Sequence, residues 1–407
     1  MGMMGQDVDG AGFDGIICIG GEDWWYHNRG HFDFQMMRRL ARHQPVLFVN
    51  SLAVRMPSLA EKSQFAARFG RKFKSLARGL VNVENQFWVF SPVSIPGPAG
   101  QKLSSWALAP QIKLAARRAG IKRPLLWMHC PAGASLISEI PHAALVLQRT
   151  DRFEAFPEAD PAVVGAQIAD LKAAADLVVY CNAVLMAQEQ SQVSRQILMT
   201  HGVDFEAFVA AGTSNASGPD DVRSLKRPRA GFIGGIDSHT FDPDLFVSVA
   251  GMLPGVEFVM VGGCSLPEGW CPHANVHMLG RKPYEDVAHY MAAMDVLIMP
   301  WNNSEWIQAC NPIKLKEYLA TGRPVVTTDF PALGRYRDLV HVANDASTFA
   351  TAIRWALDEP YDAEKARARV ATEGWDAKAE FLGEALADLV CELESGAQTV
   401  NRAQSAA

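Results

Sequence analysis

Short runs of apolar, β-rich residues recur along the chain, and between them the apolar positions return every three to four residues. Runs of four to six apolar residues bounded by turn formers suit strands buried on both faces, whereas the longer periodic stretches suit helices. In the first half the strands are expected at 15–19, 46–49, 87–90, 125–129, 144–147, 177–180 and 197–199, with helices at 33–43, 103–119 and 161–175. The rhythm breaks at residues 210–228, AAGTSNASGPDDVRSLKRP, where Gly, Ser, Asn, Asp and Pro accumulate as they do in loops. It restarts at 230–234 and continues through 256–261, 275–279, 296–299, 325–328 and 339–342. Strands alternating with helices predict an α/β protein of two doubly wound domains with parallel sheets. The expected division is 1–209, a linker at 210–228, 229–394 and a frayed tail at 395–407.

The stretch 311–322 is the sharpest local signal. Asn311-Pro312 stands at its start and Gly322 just past its end, with a short apolar strand directly after. Pro early and Gly late is ordinary helix punctuation. Lys314 and Glu317 are three apart and share one face of the first two turns. A helix N-terminus offers free N–H groups and partial positive charge to an anion, and Lys314 adds a full charge. On an arbitrary helix the pair would read as a surface ion pair. Here the helix follows the apolar run 295–300, so its tip is expected at the carboxyl edge of a parallel sheet, where open α/β folds bind ligands.

Composition narrows the setting. The chain has 407 residues and 49% hydrophobic content, which suits two or three globular domains and excludes a disordered chain. No apolar run approaches the roughly 18–20 residues of a bilayer span, and the N-terminus has no signal-peptide pattern. Gln6 stands where a myristoylation pattern wants Ser or Thr. Seven Cys without a CxxC pair suit a reducing compartment, so a cytoplasmic protein is expected. The net charge is −6, yet residues 55–123 hold 13 Lys/Arg and only two Glu. Within them Phe65, Phe69, Phe73 and Leu76 are interleaved with Arg68, Arg71, Lys72, Lys74 and Arg78, the pattern of a basic amphipathic helix. Segment 59–80 is therefore expected either to lie on an anionic membrane at the inner face or to dock on its own domain. Nucleic acid is not an expected partner.

The run 231–263, GFIGGIDSHTFDPDLFVSVAGMLPGVEFVMVGG, reads as strand, Gly-rich turn, helix, strand and Gly. It is followed by Leu279-Gly280-Arg281-Lys282-Pro283-Tyr284, by 294–300 and by the helix at 311–322. In order and spacing these elements resemble the nucleotide-sugar domain of GT-B glycosyltransferases of the family 4-like, group 1 type. His201-Gly202-Val203-Asp204 looks like that group's interdomain turn. The likeness is specific over 229–335 and weaker over 1–205. It implies two Rossmann-like domains facing across a cleft, the first binding the acceptor and the second the donor. It implies a metal-independent hexosyltransferase that takes a UDP- or GDP-sugar as co-substrate, needs no further cofactor, and acts on a glycan or lipid-linked saccharide in surface polysaccharide synthesis. By the same resemblance Gly234 and Gly235 admit the donor phosphates, Arg281 lies by the nucleobase with Tyr284 near it, and Asn302 lies in the loop after the fourth strand. Asn311, Ile313 and Lys314 form the helix tip, and Glu317 takes the ribose hydroxyls. Two positions depart from the family pattern. Ala309 stands where a Glu is usual, and Asp237-Ser238-His239 follows the Gly-rich turn where basic residues are usual. Lys314 is then the natural cation for the diphosphate, as in bacterial exopolysaccharide glucuronosyltransferases, which this arrangement also resembles. The anomeric outcome stays open.

Glycosyl transfer with inversion needs a base for the acceptor hydroxyl. Asp151, just past the strand at 144–147, and His129, at the end of the strand at 125–129, are the candidates. Asp151 could instead pair with Arg149 or Arg152, and His129 could be structural. Trp24, Trp25 and Tyr26 in the loop after the first strand suit either a sugar acceptor or the domain's own core. Asp242-Pro243-Asp244 reads as a helix cap rather than a metal motif. The spacing of Cys264, Cys271, His273 and His277 matches no usual zinc site, so no metal is expected. A nucleotide-sugar epimerase on the same scaffold and a non-catalytic nucleotide-sugar-binding module remain as alternatives.

Overall fold

The computed structural model describes residues 12–27, 30–52, 74–93, 98–156, 159–214, 218–304, 307–308, 310 and 312–405. The chain forms two compact units, Met1–Thr200 with Lys378–Ala407, and His201–Ala377.

The N-terminal unit is built on an eight-stranded sheet of order β3-β4-β2-β1-β5-β6-β7-β8. Its strands are β1 Gly15–Ile19, β2 Val46–Val49, β3 Leu80–Glu84, β4 Phe87–Phe90, β5 Pro124–Met128, β6 Ala144–Arg149, β7 Leu177–Tyr180 and β8 Gln196–Leu198. The central strands β1, β2, β5, β6 and β7 are buried at every position, as their unbroken apolar runs require. All pairs are parallel except β3–β4, a hairpin at the edge whose turn residue Asn85 has φ 46°. The sequence reading did not anticipate β3, because LVNVE is half-exposed along its length and carries no apolar run. Helices α1 Phe32–Leu40, α2 Pro98–Arg118, α3 Pro161–Ala174 and α4 Ala183–Glu189 complete the layers. Asp160 caps α3 by accepting hydrogen bonds from the N–H groups of Ala162 and Val163, with Pro161 at the first position.

The C-terminal unit carries a six-stranded parallel sheet of order β11-β10-β9-β12-β13-β14. These are β9 Arg229–Ile233, β10 Glu257–Val261, β11 Val276–Gly280, β12 Val296–Met299, β13 Val325–Thr327 and β14 His341–Val342. This 3-2-1-4-5-6 order is the doubly wound arrangement, and its switch point lies between β9 and β12. Helices α5 Phe205–Thr213, α6 Asp220–Arg223, α7 Pro243–Met252, α8 Tyr284–Ala292, α9 Ile313–Thr321, α10 Ala346–Asp358 and α11 Ala363–Val370 surround it.

The division of the chain differs from the expected 1–209, 210–228 and 229–394. The break falls at residue 200, and the stretch that looks like a linker holds the end of α5 and all of α6. Phe208, Ala211 and Val222 are buried in the C-terminal core, so apolar contacts outweigh the loop-forming composition around them. The last helix, α12 Trp375–Ser405, starts in the C-terminal unit and ends in the first, where Glu392 pairs with Arg195 at 2.5 Å and Glu394 with Arg123 at 2.7 Å. It therefore runs beyond residue 395, where fraying is expected from the sequence. Residues 59–73 of the basic segment lie outside the described residues, and 74–78 are helical. Among the described residues no helix is long and apolar enough to cross a membrane.

Candidate functional site

The carboxyl edge of the second sheet opens at its switch point. β9 and β12 pair only through Ala230–Val296 and Gly231–Leu297, then part before their ends. The N–H of Ile233, beyond the last pair, donates instead to the Tyr318 hydroxyl of α9 at 2.9 Å. That bond fixes α9 against the end of β9 and sets its tip over Gly234. Two glycines make the approach close enough. A Cβ on Gly234, at φ +155°, would stand 2.1 Å from Lys314 Nζ, and one on Gly262, at φ +148°, 1.8 Å from the Gly234 carbonyl oxygen. α9 begins at Ile313 with Pro312 as N-cap, one residue later than expected, and ends at Gly322 with φ 71°.

Lys314 Nζ lies 4.2 Å from the centre of the Phe232 ring and 5.5 Å from that of Trp301. Among the described residues it makes no hydrogen bond and no ion pair. Burial lowers its pKa to about 8, against the upward pull of Glu317 and Asp237. Glu317, one turn deeper, is pushed up to about 7 by burial and by Asp204, while Lys314 and the Tyr284 hydroxyl hold it down. Lys316, two residues on, points the other way. Its ammonium donates to the His201 carbonyl and to Glu373 Oε2 at 2.8 Å, and Glu373 also takes Arg335 and Tyr336, each at 3.1 Å. One lysine thus ties the unit together, and the other lies over Gly234 beside the Phe232 and Trp301 rings, with no ion-pair partner among the described residues.

The other expected donor residues are placed as follows. Gly235 follows Gly234 in the turn, and Ile313 is half-buried at the tip of α9. Asn311 lies outside the described residues, as does Ala309. Arg281 is exposed after β11, its guanidinium against Gly263, and Tyr284 is the first residue of α8. Asn302 acts within its own loop. Its Nδ2 donates to the Ser238 carbonyl at 3.0 Å and its Oδ1 accepts from Ser304 N at 3.2 Å, which fastens the turn 237–240 to the end of β12. Asp242 caps α7 by accepting from Leu245 N at 2.9 Å, as its Pro-containing pattern suggests.

In the N-terminal unit a second cluster sits at the ends of β1, β5 and β6. His129 Nδ1 lies 3.0 Å from Oδ2 of the fully buried Asp33, the second residue of α1. Two contacts compete for Nδ1: the Asp33 carboxylate, which can only accept and so favours a proton there, and the Gly21 N–H, which points at the same nitrogen from 3.2 Å. With the proton on Nδ1, Nε2 is the basic nitrogen, 3.3 Å from the Thr150 hydroxyl. Burial lowers the His129 pKa, but Asp33, Asp151 and Glu22 together raise it further, and the net shift is upward. Burial raises and His129 lowers the Asp33 carboxyl, with a net downward shift. Asp151 is raised by burial, although His129, His31 and Arg149 pull it down. The two candidates that look like rivals in the sequence are thus electrostatic neighbours. Arg149 and Arg152 are engaged elsewhere than the Asp151 carboxylate. Arg149 holds Glu189 and Glu154 at 2.8 and 2.7 Å and the Asp151 backbone carbonyl at 2.8 Å, and Arg152 holds Gln188. Asp33 escaped the sequence reading. The available signal was a carboxylate in the first turn of the helix after β1, hence at the same sheet edge as His129.

The aromatic loop splits between its two readings. Trp24 is core, with ring contacts to Phe34, Phe48 and Phe87 at 5.2, 6.5 and 4.9 Å. Trp25 stays half-exposed with Arg78 4.3 Å above its ring, and Tyr26 is half-exposed beside it.

Residues 227–359 match the family Glycosyl transferases group 1. The chain is 35% identical over 144 residues to TuaH of Bacillus subtilis (strain 168), a putative teichuronic acid biosynthesis glycosyltransferase. That match takes in 33% of this chain and 34% of the relative, so it spans about a third of the relative's length. The fold is similar to sucrose-phosphate synthase of Thermosynechococcus elongatus, with TM-score 0.65 and 15% identity over 93% of this chain and 99% of that one. It is also similar to Anabaena Alr3699/HepE in complex with UDP and glucose, with TM-score 0.62 and 14% identity over 92% and 99% of the two chains. An E. coli structure described as trehalose-6-phosphate bound with UDP-2-fluoro glucose aligns at TM-score 0.61 and 8% identity over 92% and 99%. At these identities the likeness is one of fold. The fold is GT-B, as the sequence resemblance implies, and the C-terminal unit carries the group 1 segment.

Proposed function

We propose that this chain is a glycosyltransferase whose C-terminal unit binds a nucleotide-sugar, a UDP-sugar in the first instance, and whose N-terminal unit activates the acceptor. The acceptor is a glycan or lipid-linked saccharide of a surface polysaccharide. The observation that carries the reading is Lys314, a largely desolvated cation at a helix tip over a glycine turn, with no ion-pair partner among the described residues. Such a cation, with free helical N–H groups beside it, lacks only an anion. A diphosphate there meets Lys314 and the α9 N-terminus, and the ribose hydroxyls reach Glu317. Gly234 and Gly262 keep the cradle free of side chains. Two fold neighbours hold UDP or a UDP-sugar derivative, which supports uridine as the first base to test. The group 1 segment and the teichuronic acid relative support polysaccharide synthesis.

During transfer the acceptor oxygen bonds to the anomeric carbon, the bond from that carbon to the diphosphate breaks, and the acceptor proton must leave. His129 Nε2 is the proposed proton acceptor. Asp33 holds the ring by its Nδ1–H and favours the imidazolium that forms. Asp151 adds negative charge beside it. Lys314 offsets the charge developing on the leaving diphosphate, with no metal in the scheme.

The test is a thermal-shift screen against UDP-, GDP-, ADP- and TDP-sugars, followed by transfer assays with the best ligand. A uridine nucleotide-sugar that stabilises the protein, and whose sugar is passed to a saccharide acceptor, is the expected result. Stabilisation by none of them would overturn the reading.

A further inference from the structure

In α2 of the N-terminal unit, one side is core: Leu108, Ile112, Ala115 and Ala116 are buried. At about 100° per residue, the opposite sector of roughly 140° holds, over residues 106–118, Lys113, Trp106, Arg117, Pro110, Leu114, Ala107 and Arg118 in angular order. On a soluble surface this sector is unusual. Trp106 is 78% exposed and Leu114 51%. Val93, 61% exposed, is fastened beside them, because the Gln111 side chain accepts from its N–H at 3.0 Å and donates to its carbonyl at 3.2 Å. Pro110, inside the helix, has no N–H to close the helical bond to the Trp106 carbonyl. Between Glu84 and Glu139 the sequence holds six Lys/Arg (102, 113, 117, 118, 122 and 123) and no Asp or Glu. Arg123 is paired with Glu394 at 2.7 Å and Lys113 donates to the Glu139 carbonyl at 3.2 Å, so the charge of this face rests chiefly on Arg117 and Arg118. Among the described residues the side chains of Arg117 and Arg118 make no hydrogen bond or ion pair, and both residues are exposed.

We propose that this face of α2 docks on an anionic lipid bilayer, with Trp106, Val93 and Leu114 entering the interface and Arg117 and Arg118 meeting phosphates. The charge selects the occupant. A second copy of the face would bring cation against cation, whereas an anionic bilayer offers apolar depth and phosphates together. Trp suits that depth through its apolar ring and polar edge. The proposal is separate from segment 59–80 and does not rest on the donor site, since its test uses no nucleotide.

The test is co-sedimentation of the full chain with phosphatidylcholine vesicles, with and without about a third phosphatidylglycerol. Wild type should bind only the anionic vesicles and release in high salt. Trp106→Glu/Leu114→Glu and Arg117→Glu/Arg118→Glu should each weaken binding at least tenfold while the melting curve is kept. Val184→Glu, an exposed apolar position on α4, should leave binding unchanged. Three results would overturn the proposal: no binding by wild type, wild-type binding by both double variants, or loss confined to Lys72→Glu/Lys74→Glu. A wild-type dimer that Trp106→Glu/Leu114→Glu dissolves would reassign the face to self-association.

Discussion

The two sheets present opposite electrostatic states at their carboxyl edges. In the N-terminal unit Asp33 and His129 sit 3.0 Å apart and each favours the other's charge, so the carboxyl titrates low and the imidazole high. In the C-terminal unit Lys314 and Glu317 are displaced toward neutrality, to about 8 and about 7. The first pair is complete without a ligand. The second gives up favourable solvation and recovers little of it within the protein. A group held in that condition at the tip of a helix gains most when an anion arrives. The contrast repeats along α9, where Lys316 is saturated by His201 and Glu373 while Lys314 is left to aromatic faces.

The comparison breaks most visibly in the transfer rate. His129→Gln should lower turnover by about 10²–10⁴-fold, the usual worth of a positioned base, while UDP affinity is unchanged. A loss of UDP affinity would deny the separation of the two edges. Wild-type kcat/KM should rise with pH through the raised His129 pKa, because only neutral Nε2 accepts a proton. The Asp33–His129 pair stabilises the fold oppositely. Its contribution is full between the ordinary carboxylate range and about pH 6.5. It is lost as pH rises through the raised His129 pKa, and as pH falls through the lowered Asp33 pKa.

Next in size is Lys316→Met, which leaves the buried Glu373 short of one partner and should cost about 3 kcal/mol of stability, measured by chemical denaturation. Retained stability would mean that the two lysines are not differently employed. The smallest effect is on ligand affinity. UDP binding by calorimetry should weaken from about pH 7 to about pH 9, by roughly tenfold as Lys314 loses its proton, over a range where UDP's own phosphates are already ionised. A flat profile would remove Lys314 from the diphosphate.

Much of this was legible in the sequence for a definite reason. Strands such as β5, PLLWM, are buried on both faces and so show as continuous apolar runs. The order of strand, helix tip and Gly322 marks Lys314 and Glu317 without reference to distant residues. Asp33 was not legible as a site residue, since its partner lies 96 positions away and a helix-start carboxylate has a local explanation. The stretch 210–228 misled because loop-forming composition hides the buried Phe208, Ala211 and Val222 around it. Trp24 could not be told from its half-exposed neighbours Trp25 and Tyr26, since core and surface aromatics look alike in a short loop.

The central claim is that Lys314, without an ion-pair partner among the described residues, is held for a diphosphate, and the melting of Lys314→Met with and without UDP tests it. The Lys314 pKa lies below its unfolded value, so its burial costs stability below about pH 8, a cost relieved only as pH rises toward the unfolded value. At neutral pH the ligand-free variant should therefore gain about 1–3 kcal/mol, the shift converted at about 1.4 kcal/mol per unit and discounted for partial exposure and lost ring contacts. The same variant should bind UDP about 30-fold more weakly, a loss of about 2 kcal/mol. A variant less stable than wild type that binds UDP equally well would contradict the account.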